Sequence, residues 1–196
     1  SLETGVAIGR DISLERLRQR HDAVFIGIGA QKGRGLSVPG ADGPGVRTAT
    51  EYLEQLNRGE AVDLGEHVIV VGGGNSAMDA ARSARRAGAA VRLLYRRSLA
   101  EMPATPEEIE LATEEGIDLM LLVTPTRIER DSDDRLRRVQ VARVELGEAD
   151  ASGRPRPVLQ EGTEYWLETD SIILATSQVP DTAGLEALFT RPFALQ

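Results

Sequence analysis

The chain has 196 residues, a formal net charge of −8, 41% hydrophobic content, two histidines and no cysteine. That length suits one domain, or one domain and part of a second, with enough apolar residues to bury a core. The composition excludes disulfides, thiolate catalysis and cysteine-ligated zinc or iron–sulfur sites within these residues, and its acidity argues against nucleic-acid binding by general electrostatic attraction.

The opening segment, SLETGVAIGRDI, lacks the apolar core of a signal peptide, and no later run approaches the ~20 apolar residues of a membrane span. A cytoplasmic chain without a membrane span is expected, and the initial Ser suggests a piece of a longer protein. Short, unalternating apolar runs at Val24–Ile28, Val68–Val71, Val91–Tyr95, Leu119–Val123 and Ile172–Ala175 predict strands buried on both faces of a parallel sheet. Helices with readable ends lie between them. Thr48 and Glu51 form a capping box ahead of Tyr52, Leu53 and Leu56, with Gly59 at the exit. Thr105, Pro106 and Glu108 mark a second start, and Gly116 closes that helix. From Thr124 to Tyr165 the pattern changes to an antiparallel meander, with strands predicted at Thr126–Arg130, Leu136–Leu146 and Thr163–Thr169 and a polar loop at Gly147–Gly162. Val139 and Val141 sit on one phase of the middle strand, Val144 and Leu146 on the other, so a bulge is expected near Ala142.

The segment VIVVGGGNSAMDAARSARRAG, from Val68 to Gly88, carries the most chemistry. Gly72, Gly74 and Ala77 fit G-x-G-x-x-A after a strand and at the mouth of a helix. There the first Gly permits a tight turn, the second admits a pyrophosphate, and the small third residue packs helix on strand. Free N–H groups of Asn75, Ser76 and Ala77 and the positive helix end would face the phosphates. Ala77, Ala81, Ala84 and Gly88 form a small-residue stripe, with Arg82, Arg85 and Arg86 towards solvent. The plain structural alternative is a tight turn without a ligand; the full strand–turn–helix–strand context favours a dinucleotide. The predicted fold is α/β, a Rossmann-like three-layer nucleotide-binding domain with a parallel sheet and an inserted antiparallel β-meander.

The following strand ends in Arg96 and Arg97, where an NAD site usually carries an acid. Guanidinium groups there would pair with a 2′-phosphate, which favours NADP(H), while a solvated basic end is the plain alternative. Gly27-Ile28-Gly29-Ala30 is a decoy, because a Gly/Pro-rich loop rather than a helix follows it. No G-x-S-x-G or P-loop motif occurs, Glu107, Glu108, Glu114 and Glu115 read as a solvated helix face, and no catalytic acid, base or metal site is assigned. His21 and His67 read as surface residues, Tyr165 and Trp166 as packing in the meander.

VIVVGGGNSAMDAARSARRAGA, VRLLYRRS and EMPATPEEIELATEEGI, in this order, resemble the NADPH domain of glutamate synthase small-subunit-like flavoproteins, a group that includes the NADPH-to-FAD portion of dihydropyrimidine dehydrogenase. DAVFIGIGAQKGRGLSVPGAD and DSIILATSQVPD are similar to that family's flanking segments, with Ser177 where relatives often have Gly. The resemblance implies that Gly72, Gly74, Asn75, Ser76 and Ala77 hold the pyrophosphate, Arg96 and Arg97 the 2′-phosphate, and that Ala175, Thr176 and Ser177 line the nicotinamide side. It implies a parent enzyme that passes hydride from NADPH to FAD and electrons onward, to a possible acceptor subunit or iron–sulfur domain. On that basis residues 1–45 belong to the end of an FAD-binding domain, 46–180 form the NADP(H)-binding domain, and 181–196 begin the return to the FAD domain. FAD binding is expected to be incomplete within these residues, and the chain alone inactive. A non-catalytic nucleotide-sensing or interaction module on the same fold is the alternative; a methyltransferase using S-adenosylmethionine is disfavoured by Arg96 where an acid is wanted.

Overall fold

The structure is a computed structural model that describes residues 1–150, 153–183 and 185. The chain divides into two compact units, one of Ser1–Lys32 with Val179–Gln196, the other Gly33–Gln178. In the first unit α1 (Leu14–Arg20) begins where the Ser13 hydroxyl accepts from the Arg16 N–H. Val24–Ile28, expected as a buried strand, is irregular here and Phe25 is 95% exposed. An apolar run becomes a buried strand only when a ladder partner covers it, and none does so among the described residues.

Two-residue strands β1 (Lys32–Gly33) and β11 (Gln178–Val179) stand where the chain passes between units. Within the second unit follow β2 (Val46–Thr48), α2 (Ala49–Asn57), β3 (His67–Gly72), α3 (Asn75–Arg86), β4 (Ala90–Tyr95), α4 (Pro106–Glu114) and β5 (Asp118–Leu121). The meander strands are β6 (Val123–Arg130), β7 (Leu136–Ala149), β8 (Pro155–Leu159) and β9 (Tyr165–Glu168), and β10 (Ser171–Ala175) returns to the main sheet. That sheet is parallel with order β2-β10-β3-β4-β5. Both predicted capped helices form: Thr48 and Glu51 bond reciprocally, and Thr105 accepts from the Glu108 N–H with Pro106 in the first turn. No helix among the described residues is long and apolar enough to cross a membrane.

The unalternating strands are explained by the two layers they touch. Val68, Val70, Val91, Leu93 and Ile173 pack with the helices, while their neighbours Ile69, Val71, Leu94, Ile172 and Leu174 pack with the meander. The Leu119–Val123 run does not form one strand. Leu122, at φ 56, breaks it into β5 and β6 and turns the chain out of the main sheet. β7 pairs with β6 and β9 in its first half and with β8 in its second, so the expected loop at Gly147–Gly162 contains a strand. Pro155–Leu159 lacks a strand signature because its side chains are mostly exposed and its prolines sit on an edge. Val141 and Ala142 are both fully buried, which is the predicted phase change. The extra residue lies on the partner strand, where register shifts between Pro125 and Arg127.

The α3–α4 contact corrects the reading of its charges. Arg82 bonds Glu108 at 2.7 Å and Glu115 at 3.0 Å, and Arg86 bonds Glu115 at 2.6 Å. Arg82 thus joins two helices instead of facing solvent, and two of the four glutamates leave the solvated face. Gly88 lies beyond the end of α3 and is exposed, so the small-residue stripe stops at Ala84.

Candidate dinucleotide-binding site

The tip of β3 turns sharply into α3, and its glycines have separate reasons to be glycine. A Cβ on Gly72 would lie 2.4 Å from the Ala175 carbonyl oxygen, and one on Gly73 would lie 2.5 Å from the Tyr95 ring. Gly74 is different. Its φ of −94° suits any residue, and a Cβ there would find only Pro103 Cγ, at 3.8 Å. Among the described residues nothing requires glycine at 74, and the space above it is an open cradle.

Gly74 is also the N-cap of α3, with no side-chain cap bond and no acidic residue in the first turn. The Ala77 and Met78 N–H groups both bond the Gly74 carbonyl, which leaves the amides before them aimed outward at the positive end of the helix. Ala77 is fully buried beneath the turn, as the fingerprint requires of its small third residue. Asn75 Oδ1 accepts from the Thr105 N–H at 3.1 Å and so ties the start of α3 to the cap of α4.

A cavity of about 480 Å³ opens at the carboxyl ends of β3, β4 and β10 and is lined by all three predicted groups: Gly72–Gly74, Arg96 with Arg97, and Ala175–Ser177. Asn75 and Ser76 line a smaller adjoining hollow. Arg34 and Arg154 join the rim of the larger cavity, and no Asp or Glu lines it among the described residues. In a chain of net charge −8 that segregation of cations makes the rim locally positive.

The two arginines at the end of β4 are placed differently. Arg96 is exposed, with no ion pair among the described residues. Arg97 is only 4% exposed in its side chain; it donates to the Pro155 carbonyl at 2.8 Å and to Asp150 at 3.1 Å, so its guanidinium is engaged with the β7–β8 hairpin. Tyr95 is held by its hydroxyl, which donates to the Glu101 carbonyl at 2.7 Å. Sequence reasoning missed Arg34 and Arg154, which reach the rim from irregular segments with no motif of their own. The Arg34 N–H donates to the Ser177 carbonyl at 3.0 Å, and that tertiary bond brings its loop beside the end of β10.

Residues 6–190 match the pyridine nucleotide-disulphide oxidoreductase family. The NADPH-Fe(3+) oxidoreductase subunit beta of Geobacter sulfurreducens is 43% identical over 178 residues, 89% of this chain and 26% of that protein. The glutamate synthase (NADPH) small chain of Halomonas elongata is 38% identical over 199 residues, 93% of this chain and 42% of that protein. The chain therefore spans well under half the length of these relatives. Thioredoxin reductase of Lactococcus lactis shares the fold with a TM-score of 0.59 at 20% identity, over 79% of this chain and 45% of that one. With most of its length matched by the family, this chain belongs to the pyridine nucleotide-disulphide oxidoreductases.

Proposed function

We propose that this chain is the NADP(H)-binding part of a flavin-dependent oxidoreductase of the glutamate synthase small-subunit type, in which NADPH passes hydride to FAD and electrons go onward. The observation that carries the reading is the acid-free, arginine-rimmed cavity meeting the uncapped N-terminus of α3 at the open face of Gly74. Gly72 shapes the turn, the amides of Gly74, Asn75 and Ser76 receive the pyrophosphate, and Ala77, whose N–H is taken by the Gly74 carbonyl, packs beneath them instead of donating. Arg96 takes the 2′-phosphate, and Arg97, already bonded to the hairpin, adds charge behind it. Ala175, Thr176 and Ser177 border the nicotinamide side. The group bound there supplies a hydride; the protein's task is to hold and orient it, so a site without a side-chain acid or base is in keeping with that work.

Residues 46–180 form the NADP(H)-binding domain in this reading, with 1–45 and 181–196 belonging to the FAD domain of the parent. Relatives named for NADPH support the choice of nucleotide, and one named as a subunit supports an electron-acceptor partner. Titration calorimetry tests the reading: NADPH binds more tightly than NADH, and Arg96→Ala removes most of the preference, at roughly 1–3 kcal/mol for the lost charge-assisted bond. Equal affinity for the two nucleotides in the unmodified chain overturns the NADP assignment.

A further inference from the structure

Two hollows open beside the glycine turn, and their chemistry differs. The larger is the arginine-rimmed cavity already described. The smaller, of about 400 Å³, shares Gly74, Pro103, Ala175 and Ser177 with it and continues past the start of α3 to Thr50 on α2 and Gln178 on β11. No charged residue lines this second hollow among the described residues. At its far end Gln178 Nε2 donates to Thr50 Oγ1 at 3.1 Å. That bond uses one amide hydrogen. The Gln178 carbonyl oxygen, its second N–H and the Thr50 hydroxyl proton have no other partner among the described residues.

Resting on the function proposed above, we infer that Thr50 and Gln178 read the carboxamide of the nicotinamide ring. The ligand is itself divided in this way: its adenosine 2′-phosphate and pyrophosphate are anionic, whereas its nicotinamide end carries a neutral amide. A charged hollow joined to an uncharged one across the helix N-terminus matches the two halves in order. A carboxamide needs an acceptor for its N–H and a donor for its carbonyl, side by side. Gln178 Oε1 supplies the first and the Thr50 hydroxyl or the free Gln178 N–H the second. Uncharged partners also suit a ring whose charge changes between its oxidised and reduced forms, because a fixed charge beside it would favour one form.

The test uses the purified chain and three probes: NADP⁺, its analogue with a carboxylate in place of the carboxamide (nicotinic acid adenine dinucleotide phosphate), and adenosine 2′,5′-bisphosphate, which lacks the nicotinamide half. Affinities come from calorimetry, and saturation-transfer NMR reads contact at the nicotinamide ring protons. The unmodified chain prefers NADP⁺ to the carboxylate analogue and shows saturation transfer to the ring. Gln178→Met and Thr50→Val each weaken NADP⁺ about five- to tenfold, as expected for a lost neutral hydrogen bond, and reduce the preference over the analogue. Both variants keep the affinity for the bisphosphate, which also shows that they fold. Unchanged NADP⁺ affinity in both variants, or an equal loss of bisphosphate affinity, overturns the inference. Failure of the unmodified chain to bind either NADP⁺ or the bisphosphate would instead overturn the proposed function.

Discussion

One parallel sheet carries a different layer on each face, and the two layers serve the site in different ways. On the helix side Ala77, Ala80, Ala81 and Ala84 of α3 are fully buried, and their small side chains let the helix lie close to the strands. That closeness brings backbone donors to the tip of β3. On the other side Val123, Ile128, Leu136, Val139 and Val141 of the meander meet Ile69, Val71, Leu94, Ile172 and Leu174. This layer sends no helix end to the cavity. It contributes side chains, with Arg154 at the rim and the β7–β8 hairpin gripping Arg97. The helix layer thus supplies backbone dipoles, and the β layer supplies one rim cation and anchors another.

The sharpest way to break the comparison is at the turn where the helix layer meets the sheet. Gly72→Ala would drive a Cβ to 2.4 Å from the Ala175 carbonyl at a φ of +152°. A loss of roughly 2–4 kcal/mol in chemical denaturation is expected, with NADPH binding lost alongside. Gly74→Ser separates the two effects. Serine is at least as good an N-cap as glycine, so the melting temperature holds or rises, while the side chain fills the cradle and NADPH affinity falls about tenfold or more. A Gly74→Ser chain that binds NADPH like the parent would break the assignment of the cradle to a ligand.

Packing changes on the two faces sharpen the contrast. Ala77→Leu overpacks the helix contact and costs roughly 1–3 kcal/mol. Val139→Ala opens a hole in the meander core and costs about 2 kcal/mol. Similar stability losses are expected to have different consequences in titration calorimetry. The first moves the phosphate-facing amides and weakens NADPH; the second leaves NADPH affinity within about twofold, because Val139 is not among the lining residues.

The same contrast shows what a sequence can disclose. The helix layer was legible because its signals are local: Thr48 and Glu51, Thr105 and Pro106, and the Gly72–Ala77 spacing each fix a backbone geometry within a few residues. The meander was legible as a class but not in detail. The strand at Pro155–Leu159 exists by pairing with β7, and the bulge fell on the partner of the strand whose phase revealed it. Adjacent arginines at 96 and 97 looked alike as letters; only the position of the hairpin separates an exposed cation from a buried one. Val24–Ile28 shows the converse, an apolar run without a strand neighbour among the described residues.

Arg96 and Arg97 therefore offer a smaller test. Arg97→Met removes bonds to Pro155 and Asp150 and should lower stability by roughly 1–3 kcal/mol in thermal or chemical denaturation. Arg96→Met should leave stability within about 0.5 kcal/mol and act on NADPH affinity alone. If the Arg96 variant melts earlier and the Arg97 variant does not, the division of labour at the end of β4 is reversed.

The smallest expected effect lies within the helix layer, at the charges that join α3 to α4. Glu115 caps the end of α4 and receives Arg86 at 2.6 Å and Arg82 at 3.0 Å. The hydrogen bond from Arg86, followed by that from Arg82, holds the Glu115 carboxyl below its ordinary range, and partial burial opposes them. A carboxyl whose folded value is depressed binds its proton less readily in the folded chain than in the unfolded one. Its contribution is therefore fully present above the unfolded value and is lost as pH falls through the folded one. Glu115→Gln keeps the shape and removes the charge. The gap in melting temperature between parent and variant should be constant near neutral pH, shrink as acid passes the ordinary glutamate range, and close once Glu115 is protonated in both states. Added salt should narrow the gap at neutral pH, since the Arg86 side chain is 63% exposed and screened. A gap that ignores both acid and salt would mean that Glu115 joins the helices by packing rather than by charge.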